Sequence, residues 1–342
     1  SSAEPLIPRD RIFGISGRMT AQGAEAAPLD LAQLQDITTT CRSLGVEGII
    51  VSMLHAYQSS AHEDLVKVEI ERLAPELFIF TSSEIWPVVR EYERGTTAIL
   101  NGYVHPRVAG YLGSLENTLN DLGVPARPLL TKSNGGLMQA ETGKRNCVSM
   151  LLSGTASGVT GASWLARQAG VDRVLTLDIG GTSADIALIV DGQPQFGKDE
   201  KIGDYPLHIP SVSVSSIGIG GGSVAHVDAS GVLKVGPESA GSTPGPACYG
   251  RGGTQATLTD ALAVCGYLGH APMAYGQLTL YLERAICVVG EVAQELGRDV
   301  ASTAEAIIRV AVSEMFVEVE KLASRAGIDL RDYVLMPFGG GG

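Results

Sequence analysis

The sequence predicts an α/β protein of two domains, and three observations carry that prediction. At 342 residues the chain exceeds the size at which a single core stops growing, roughly 250–300 residues. Its first part alternates helical and strand-like segments with short links, the pattern of a layer with parallel strand pairing. Its second part opens on Leu175-Thr-Leu-Asp-Ile-Gly-Gly-Thr-Ser-Ala-Asp-Ile-Ala-Leu-Ile-Val190. There an apolar run ends in Asp178, turns through Gly180-Gly181-Thr182-Ser183, and returns as a second apolar run from Asp185, which reads as a β-hairpin. The boundary is expected at Gly170, with residues 1–170 in the first domain and 171–342 in the second.

In the first domain, Pro28-Leu29-Asp30 starts a helix expected to reach about Leu44, with Leu31, Leu34, Ile37 and Cys41 on one face and Gly45 ending it. Gly48 to Leu54 reads as a buried strand. Ser59-Ser60-Ala61-His62-Glu63 reads as a cap for a helix through Leu73, a hydroxyl followed shortly by an acid. Phe78 to Thr81 is another strand. From Val88 to about Leu122 the pattern is helical, with an interruption expected near Pro106. Pro128 to Thr131 is a strand before the turn Ser133-Asn134-Gly135-Gly136. The small residues between Leu151 and Ala166 suit a helix that packs closely on a sheet or a ligand.

In the second domain, Asp191-Gly192 is a hairpin turn, so Gln193 to Phe196 is expected to pair back on the hairpin. Val212 to Ile217 reads as a strand entering Gly218-Ile-Gly-Gly-Gly-Ser223. Val224 to Val227 and Val232 to Val235 flank the turn Asp228-Ala-Ser-Gly231. Gly236 to Gly253 shows no regular pattern, and its length suggests a functional cover. Thr259-Asp260 is expected to cap a helix through Tyr267. The last long helix runs from about Thr303 to Ala326, with Ile308, Ala311, Val312, Met315, Val319 and Leu322 as its buried stripe. Tyr333 to Phe338 is strand-like and enters the glycines 339–342. Ser1-Ser2 and these glycines read as the ends of a fragment.

Composition narrows the function classes. Apolar residues are 44% and charged ones only 18%, with 43 glycines pointing to many tight turns. A formal charge of −12 argues against a nucleic-acid groove or an anionic membrane surface. The six histidines show no metal-ligand spacing. Cys41, Cys147, Cys248, Cys265 and Cys287 are far apart and odd in number, which favours a reducing cytoplasm over a disulfide framework. No signal-peptide pattern is present. The run Val174–Val190 is broken by Asp178 and Asp185, so no membrane span is expected.

The hairpin tip carries the chemistry. Glycines let backbone approach phosphate oxygens, successive N–H groups form an anion nest, and a carboxylate can hold the accompanying metal. No helix follows the glycines directly, so the segment is neither a Walker loop nor a Rossmann turn. Gly180, Gly181, Thr182 and Ser183 are the candidates for β/γ-phosphate contact. Asp178 and Asp185 are the candidates to orient metal-bound water or the attacking group, with Asp178 the metal ligand. Gly220, Gly221, Gly222 and Ser223 form a second glycine loop, for ribose or α-phosphate. An ordinary hairpin with solvated aspartates and a simple bulge are the plain alternatives. Asp260 reads as a helix cap, Cys248 as a structural thiol without a base to activate it, and His105, His226 and Asn134 as structural residues.

The hairpin resembles the phosphate hairpin of the actin, Hsp70 and sugar-kinase superfamily, a ribonuclease H-like fold of mixed sheets with flanking helices. The hairpin, Gly220-Gly-Gly-Ser223 and Ala240-Gly-Ser-Thr-Pro-Gly-Pro-Ala-Cys-Tyr-Gly250 together resemble the hydantoinase A / 5-oxoprolinase family, to which β-type acetone and acetophenone carboxylase subunits also belong. Further matches are Glu91-Tyr-Glu-Arg-Gly-Thr-Thr97 with Asn101-Gly-Tyr103, Ser133-Asn-Gly-Gly136, Ser153-Gly-Thr-Ala156, Thr257-Leu-Thr-Asp260 and Phe338-Gly-Gly. They extend from about Arg11 to the last residue. The family usually has an earlier D-x-G-G-T hairpin, Gly-Pro-Ala where Gly154-Thr155-Ala156 stands here, and a Pro-Leu-His helix after the last glycines.

The resemblance implies two actin-like halves clasping ATP, of which this chain would carry the second hairpin, with Gly339, Gly340 and Gly341 opening an adenosine loop. It implies ATP with Mg²⁺ or Mn²⁺, ring opening of a cyclic amide such as hydantoin or 5-oxoproline, a hydantoinase B-like partner subunit and an oligomer. A ketone carboxylase subunit and a nucleotide-binding module without turnover are the other expectations it leaves open.

Overall fold

A computed structural model describes residues 5–197, 200–202, 205–269 and 278–342. By packing, the chain divides into two compact units, Ser1–Ser157 with Phe196–Val212, and Gly158–Gln195 with Ser213–Gly342. The expected division at Gly170 therefore differs from the packing division, which falls inside one helix, and a later excursion returns to the first unit.

In the first unit, helix α1 (Gln33–Ser43), strand β1 (Gly48–Val51), helix α2 (Ala61–Leu73) and strand β2 (Phe78–Thr81) form an α/β layer. The strands pair in parallel, from Gly48 opposite Phe78 to Val51 opposite Thr81. Leu34, Val66 and Ile70 from the helices bury against Val51 and Ile79. Helix spacing explains the choice, since Val66 and Ile70 are one turn apart. Leu31 stays 38% exposed because α1 starts only at Gln33. The expected hydroxyl cap of α2 is absent: Ser60 Oγ donates instead to Asp64 Oδ2 at 2.6 Å.

Helix α3 (Glu91–Asp121) runs through Pro106 without the expected interruption. It covers a second cluster made by Phe80, Ile85, Ala98, Leu100, Val148, Leu207 and Ile209. Strands β3 (Leu129–Thr131) and β4 (Leu137–Gln139) form a hairpin. Its left-handed residue is Gly135, while Asn134 Oδ1 accepts the Gly136 amide at 3.0 Å. Helix α4 (Ser153–Gln168) begins in the first unit and ends in the second.

The second unit is built on one mixed sheet. Strands β5 (Val174–Ile179) and β6 (Ala184–Val190) are the hairpin, β7 (Gln193–Pro194) pairs back on β6, and β8 (Ser215–Ile217) lines the other part of the β6 edge. The expected strand Val212–Ile217 is two strands, because Ser211–Val212 pairs with Phe196–Gly197 in the first unit. Strands β9 (Ser223–Val227) and β10 (Leu233–Ser239) form a ribbon, so regular structure continues past Gly236. Three helices follow: α5 (Leu258–Val264), α6 (Leu282–Leu296) and α7 (Val300–Ala326). The sequence reading assigned no element to 282–296. Strand β11 (Val334–Phe338) then adds to β5 in parallel, giving the order β8-β6-β5-β11.

Leu175, Ile186, Leu188 and Ile217 of the sheet bury with Val289 and Val292 of α6 and with Ile307, Ala311, Met315 and Val319 of α7. The α7 stripe is spaced by four residues, and Val312, expected inside, is 58% exposed. Each fully buried aliphatic side chain such as Ile186 or Ile307 stabilises the unit by roughly 1.5–3 kcal/mol.

Candidate functional site

One end of the β5–β6 hairpin gathers three glycine turns. Ile179 and Ala184 are the last paired residues, and Gly180 N donates to Ser183 O at 2.9 Å to close the tip. The loop 218–222 leans on this tip: Gly221 N donates to Gly180 O at 2.9 Å and Gly222 N to Gly181 O at 2.5 Å. A Cβ on Gly220 would lie 2.7 Å from both Gly180 O and Ser183 N, so only glycine fits that approach. From the other side, Gly341 N donates to Ile179 O at 3.0 Å. Gly339 turns with φ +91° directly against Asp178, where a side chain would strike the carboxylate.

These hydrogen bonds divide the predicted residues into two roles. Gly220 N is bonded to Ser223 Oγ at 2.9 Å, and the Gly221 and Gly222 amides serve the hairpin carbonyls. The 220–223 loop is thus a brace whose donors are occupied. The amides of Gly181, Thr182 and Ser183 have no intramolecular acceptor among the described residues. Gly180, Gly181 and Thr182 are exposed and Ser183 is half-buried. A Cβ on Gly340 would meet nothing within 4 Å. An anion that met the tip would find the open donors there.

Asp178 and Asp185 sit directly opposite each other on β5 and β6, both half-buried. Burial first, and the Asp185 charge second, push the Asp178 carboxyl above the ordinary aspartate range. A bound cation would relieve both effects. Among the described residues no group of three His, Cys, Asp or Glu side chains could hold a metal alone. Two carboxylates at a phosphate cradle fit Mg²⁺, which keeps water and takes substrate phosphate oxygens as its remaining ligands. A cavity of 990 Å³ in this unit lies elsewhere, lined by Ile219, His226, Lys234, Pro237, Glu314 and Glu318, and none of the hairpin-tip residues borders it.

Sequence reasoning missed what holds the brace. Thr259 N and Oγ1 both donate to Gly221 O, at 2.8 and 2.7 Å. Thr257 caps α5 rather than the expected Thr259-Asp260. Asp260 is the third residue of a capping box, receiving Thr257 N at 3.0 Å and Thr257 Oγ1 at 2.7 Å. The fully buried Asp260 also accepts Cys248 N at 2.7 Å and Ala247 N at 3.2 Å, tying the 240–250 loop to the same helix. The T-x-x-D spacing was the available signal. Cys248 is buried, and burial together with Asp260 pushes its thiol far above the ordinary range, which removes it as a nucleophile. His105 is held by Lys144 O at 2.8 Å between the edges of Phe78 and Phe80.

Residues 94–342 match the hydantoinase/oxoprolinase family, and residues 2–74 match the N-terminal region of the same family. The chain belongs to the hydantoinase/oxoprolinase family. It is 33% identical over 339 residues to the caprolactamase subunit alpha of Pseudomonas jessenii, covering 99% of this chain and 49% of that one. It is 34% identical over 350 residues to the acetophenone carboxylase gamma subunit of Aromatoleum aromaticum, covering 99% and 47%. The chain thus spans about half the length of these relatives. Among solved structures, nucleotide-free acetone carboxylase shares the fold with a TM-score of 0.86 at 27% identity, over 99% of this chain and 48% of that one. The ATP-dependent caprolactamase of Pseudomonas jessenii shares it with a TM-score of 0.77 at 33% identity, over 99% and 49%. The mixed α/β fold class expected from the hairpin is the one these family members share. Among the described residues no helix is long and apolar enough to cross a membrane.

Proposed function

We propose that the hairpin tip grips the polyphosphate of ATP and that the protein takes part in ATP-dependent ring opening of a cyclic amide, hydantoin or 5-oxoproline being the candidate substrates. The observation that carries this reading is the set of open amides at Gly181, Thr182 and Ser183 beside the Asp178–Asp185 pair. Gly180 closes the turn and Gly220, Gly221, Gly222 and Ser223 brace it; Gly339 lies against Asp178, Gly341 against Ile179, and the exposed Gly339, Gly340 and Gly341 would meet the nucleoside. The names of the caprolactamase relative and of the family support a cyclic amide as substrate.

A cyclic amide resists water because resonance stabilises its carbonyl and its nitrogen leaves poorly. Moving the γ-phosphoryl group to the amide oxygen, with the ring N–H proton released and ADP departing, gives an imidate phosphate whose carbon water can attack. Expulsion of the protonated ring nitrogen then breaks the C–N bond and leaves an acyl phosphate, which a second water hydrolyses to the open acid and inorganic phosphate. Phosphoryl transfer depends mainly on positioning and charge neutralisation. The three tip amides would donate to the transferring phosphoryl oxygens, and fixed backbone donors of this kind lower the barrier without reorganising. Asp178 and Asp185 would hold Mg²⁺ or Mn²⁺, which neutralises developing charge on those oxygens when bound.

The relatives are named as subunits, which supports a partner subunit and an oligomeric assembly; a partner of hydantoinase B type is the candidate that the family resemblance implies. The free cysteines, three of them buried, fit a reducing cytoplasm. The likeness to acetone carboxylase favours a second reading, activation of bicarbonate or a ketone by ATP. ATP consumption measured with the partner subunit present separates them. Turnover dependent on hydantoin, 5-oxoproline or caprolactam supports the first. Turnover dependent on bicarbonate with acetone or acetophenone supports the second, and nucleotide binding without turnover on any of these leaves a binding module.

A further inference from the structure

The 990 Å³ cavity of the second unit is lined by the segments on either side of the loop that braces the hairpin tip. Ile217, Gly218 and Ile219 border it just before Gly220, and Val224 borders it just after Ser223. Between them lie Gly221 and Gly222, whose amides hold the hairpin carbonyls. Gly236 of the β9–β10 ribbon packs on the same loop, where a Cβ would lie 3.3 Å from Gly218 O. An occupant of the cavity therefore bears on the backbone that positions the tip. Its volume is within the range of small-molecule pockets, about 300–1,000 Å³.

Both signs of charge line this cavity. On the ribbon, His226 and Lys234 are directly opposite each other, which puts both side chains on one face. On α7, Glu314 and Glu318 are one turn apart and share a face. Glu318 is paired with Lys321 at 2.7 Å, whereas Lys234 and Glu314 make no ion pair among the described residues. Asp228, at the turn of the ribbon, accepts the amides of Ser230 and Val232 at 2.9 and 3.0 Å. With Glu238, the described lining carries three carboxylates and one lysine ammonium, so a ligand that brings only a carboxylate meets net repulsion. A ligand with an ammonium, a carboxylate and an apolar stem fits Glu314, Lys234 and the buried Ile217, Ile219 and Val235 together. Hydrolysis of a lactam makes such a molecule. The carbonyl carbon becomes the carboxylate, the ring nitrogen the ammonium, and the ring methylenes the stem.

We infer that the cavity is a regulatory site for an ω-amino acid, its carboxylate on Lys234 and its ammonium on Glu314, and that residues 217–224 transmit its occupation to the hairpin tip. The identification of that amino acid as a product of ring opening rests on the proposed function; the site and its link to the brace rest on the cavity.

The test titrates 6-aminohexanoate, the product of caprolactam opening, into the full chain by calorimetry. Saturable binding is expected, weakened about tenfold in Lys234→Met and in Glu314→Gln. Both side chains are exposed, so neither substitution should move the melting temperature. Hexylamine should lose affinity in Glu314→Gln but not in Lys234→Met, and hexanoate should bind more weakly than 6-aminohexanoate. Hydrogen exchange of the Gly221 and Gly222 amides should slow in the saturated wild type. With Mg²⁺–ATP also present, each ligand should change the affinity of the other by the same factor. Absence of nucleotide binding would sink the proposed function while leaving the 6-aminohexanoate and exchange results standing. No binding of 6-aminohexanoate, or binding untouched by either substitution, would overturn the site, and unchanged exchange would overturn its coupling to the tip.

Discussion

At the scale of single residues, the site asks for opposite things from stability and function. Asp178 has its carboxyl held above the ordinary range, chiefly by burial and then by Asp185. A group with a raised folded pKa binds more protons when folded, so its contribution to stability falls as pH rises from the ordinary value through the raised one. Asp178→Asn removes that penalty. The variant should melt higher than the wild type near pH 7, and the gain should fade as pH falls toward about 3. Melting curves over that range check the sign, and the same variant should lose about 10²-fold or more in nucleotide-dependent turnover. Gly220→Ala acts on geometry alone. Its Cβ would lie 2.7 Å from backbone atoms that cannot yield cheaply, so unfolding titrations should show a loss of about 1–3 kcal/mol. The carboxylates and tip glycines were legible in sequence because a tight turn restricts residue type. The occupied donors of Gly220 to Gly222 were not, because those bonds cross from 221 and 222 to 180 and 181.

At the scale of elements, α5 is short and does much of the bracing. Thr257→Ala removes a buried cap: the Asp260 amide loses its acceptor and the Asp260 carboxylate loses the Thr257 Oγ1 donor, while the backbone amide of residue 257 remains. A loss of about 1–3 kcal/mol is expected, with weaker nucleotide binding because the uncapped first turn of α5 holds Thr259 less firmly against Gly221. Unfolding and binding measured on one preparation test the two effects together. Strands bounded by turn residues were readable, as β1, β2, β5 and β6 illustrate. Helix α3 passed through Pro106 because tertiary burial of Ala98 and Leu100 outweighs one lost backbone bond. The α7 stripe was read with one residue misplaced at its edge: Val312 is exposed, while Ile307, which was not singled out, is buried, and only packing decides where the edge of the stripe falls.

At the scale of the whole molecule, the division into units could not be read from local pattern. Residues 196–212 sit between two strands of the second unit, yet pack with the first through Leu207 and Ile209. Nothing in their composition marks that return, since it is decided by contacts with Phe80 and Val148 far away in sequence. The fold class was legible because the hairpin, its glycine brace and the closing strand recur in order along the chain. Surface ion pairs such as Arg42–Glu76, with side chains 47% and 53% exposed, contribute little, and the apolar clusters carry the stability.

Nucleotide handling depends on polyphosphate meeting the open amides of the hairpin tip, and Gly181 isolates that contact. A Cβ there meets nothing within 4 Å, so Gly181→Ala should leave the melting temperature unchanged. Calorimetric titration of Mg²⁺–ATP into wild type and Gly181→Ala is the direct measurement. The predicted result is saturable binding to the wild type, weakened by about tenfold or more in the variant because the methyl group blocks close approach of phosphate to the backbone. Equal affinities in the two proteins, or no binding to either, would contradict it.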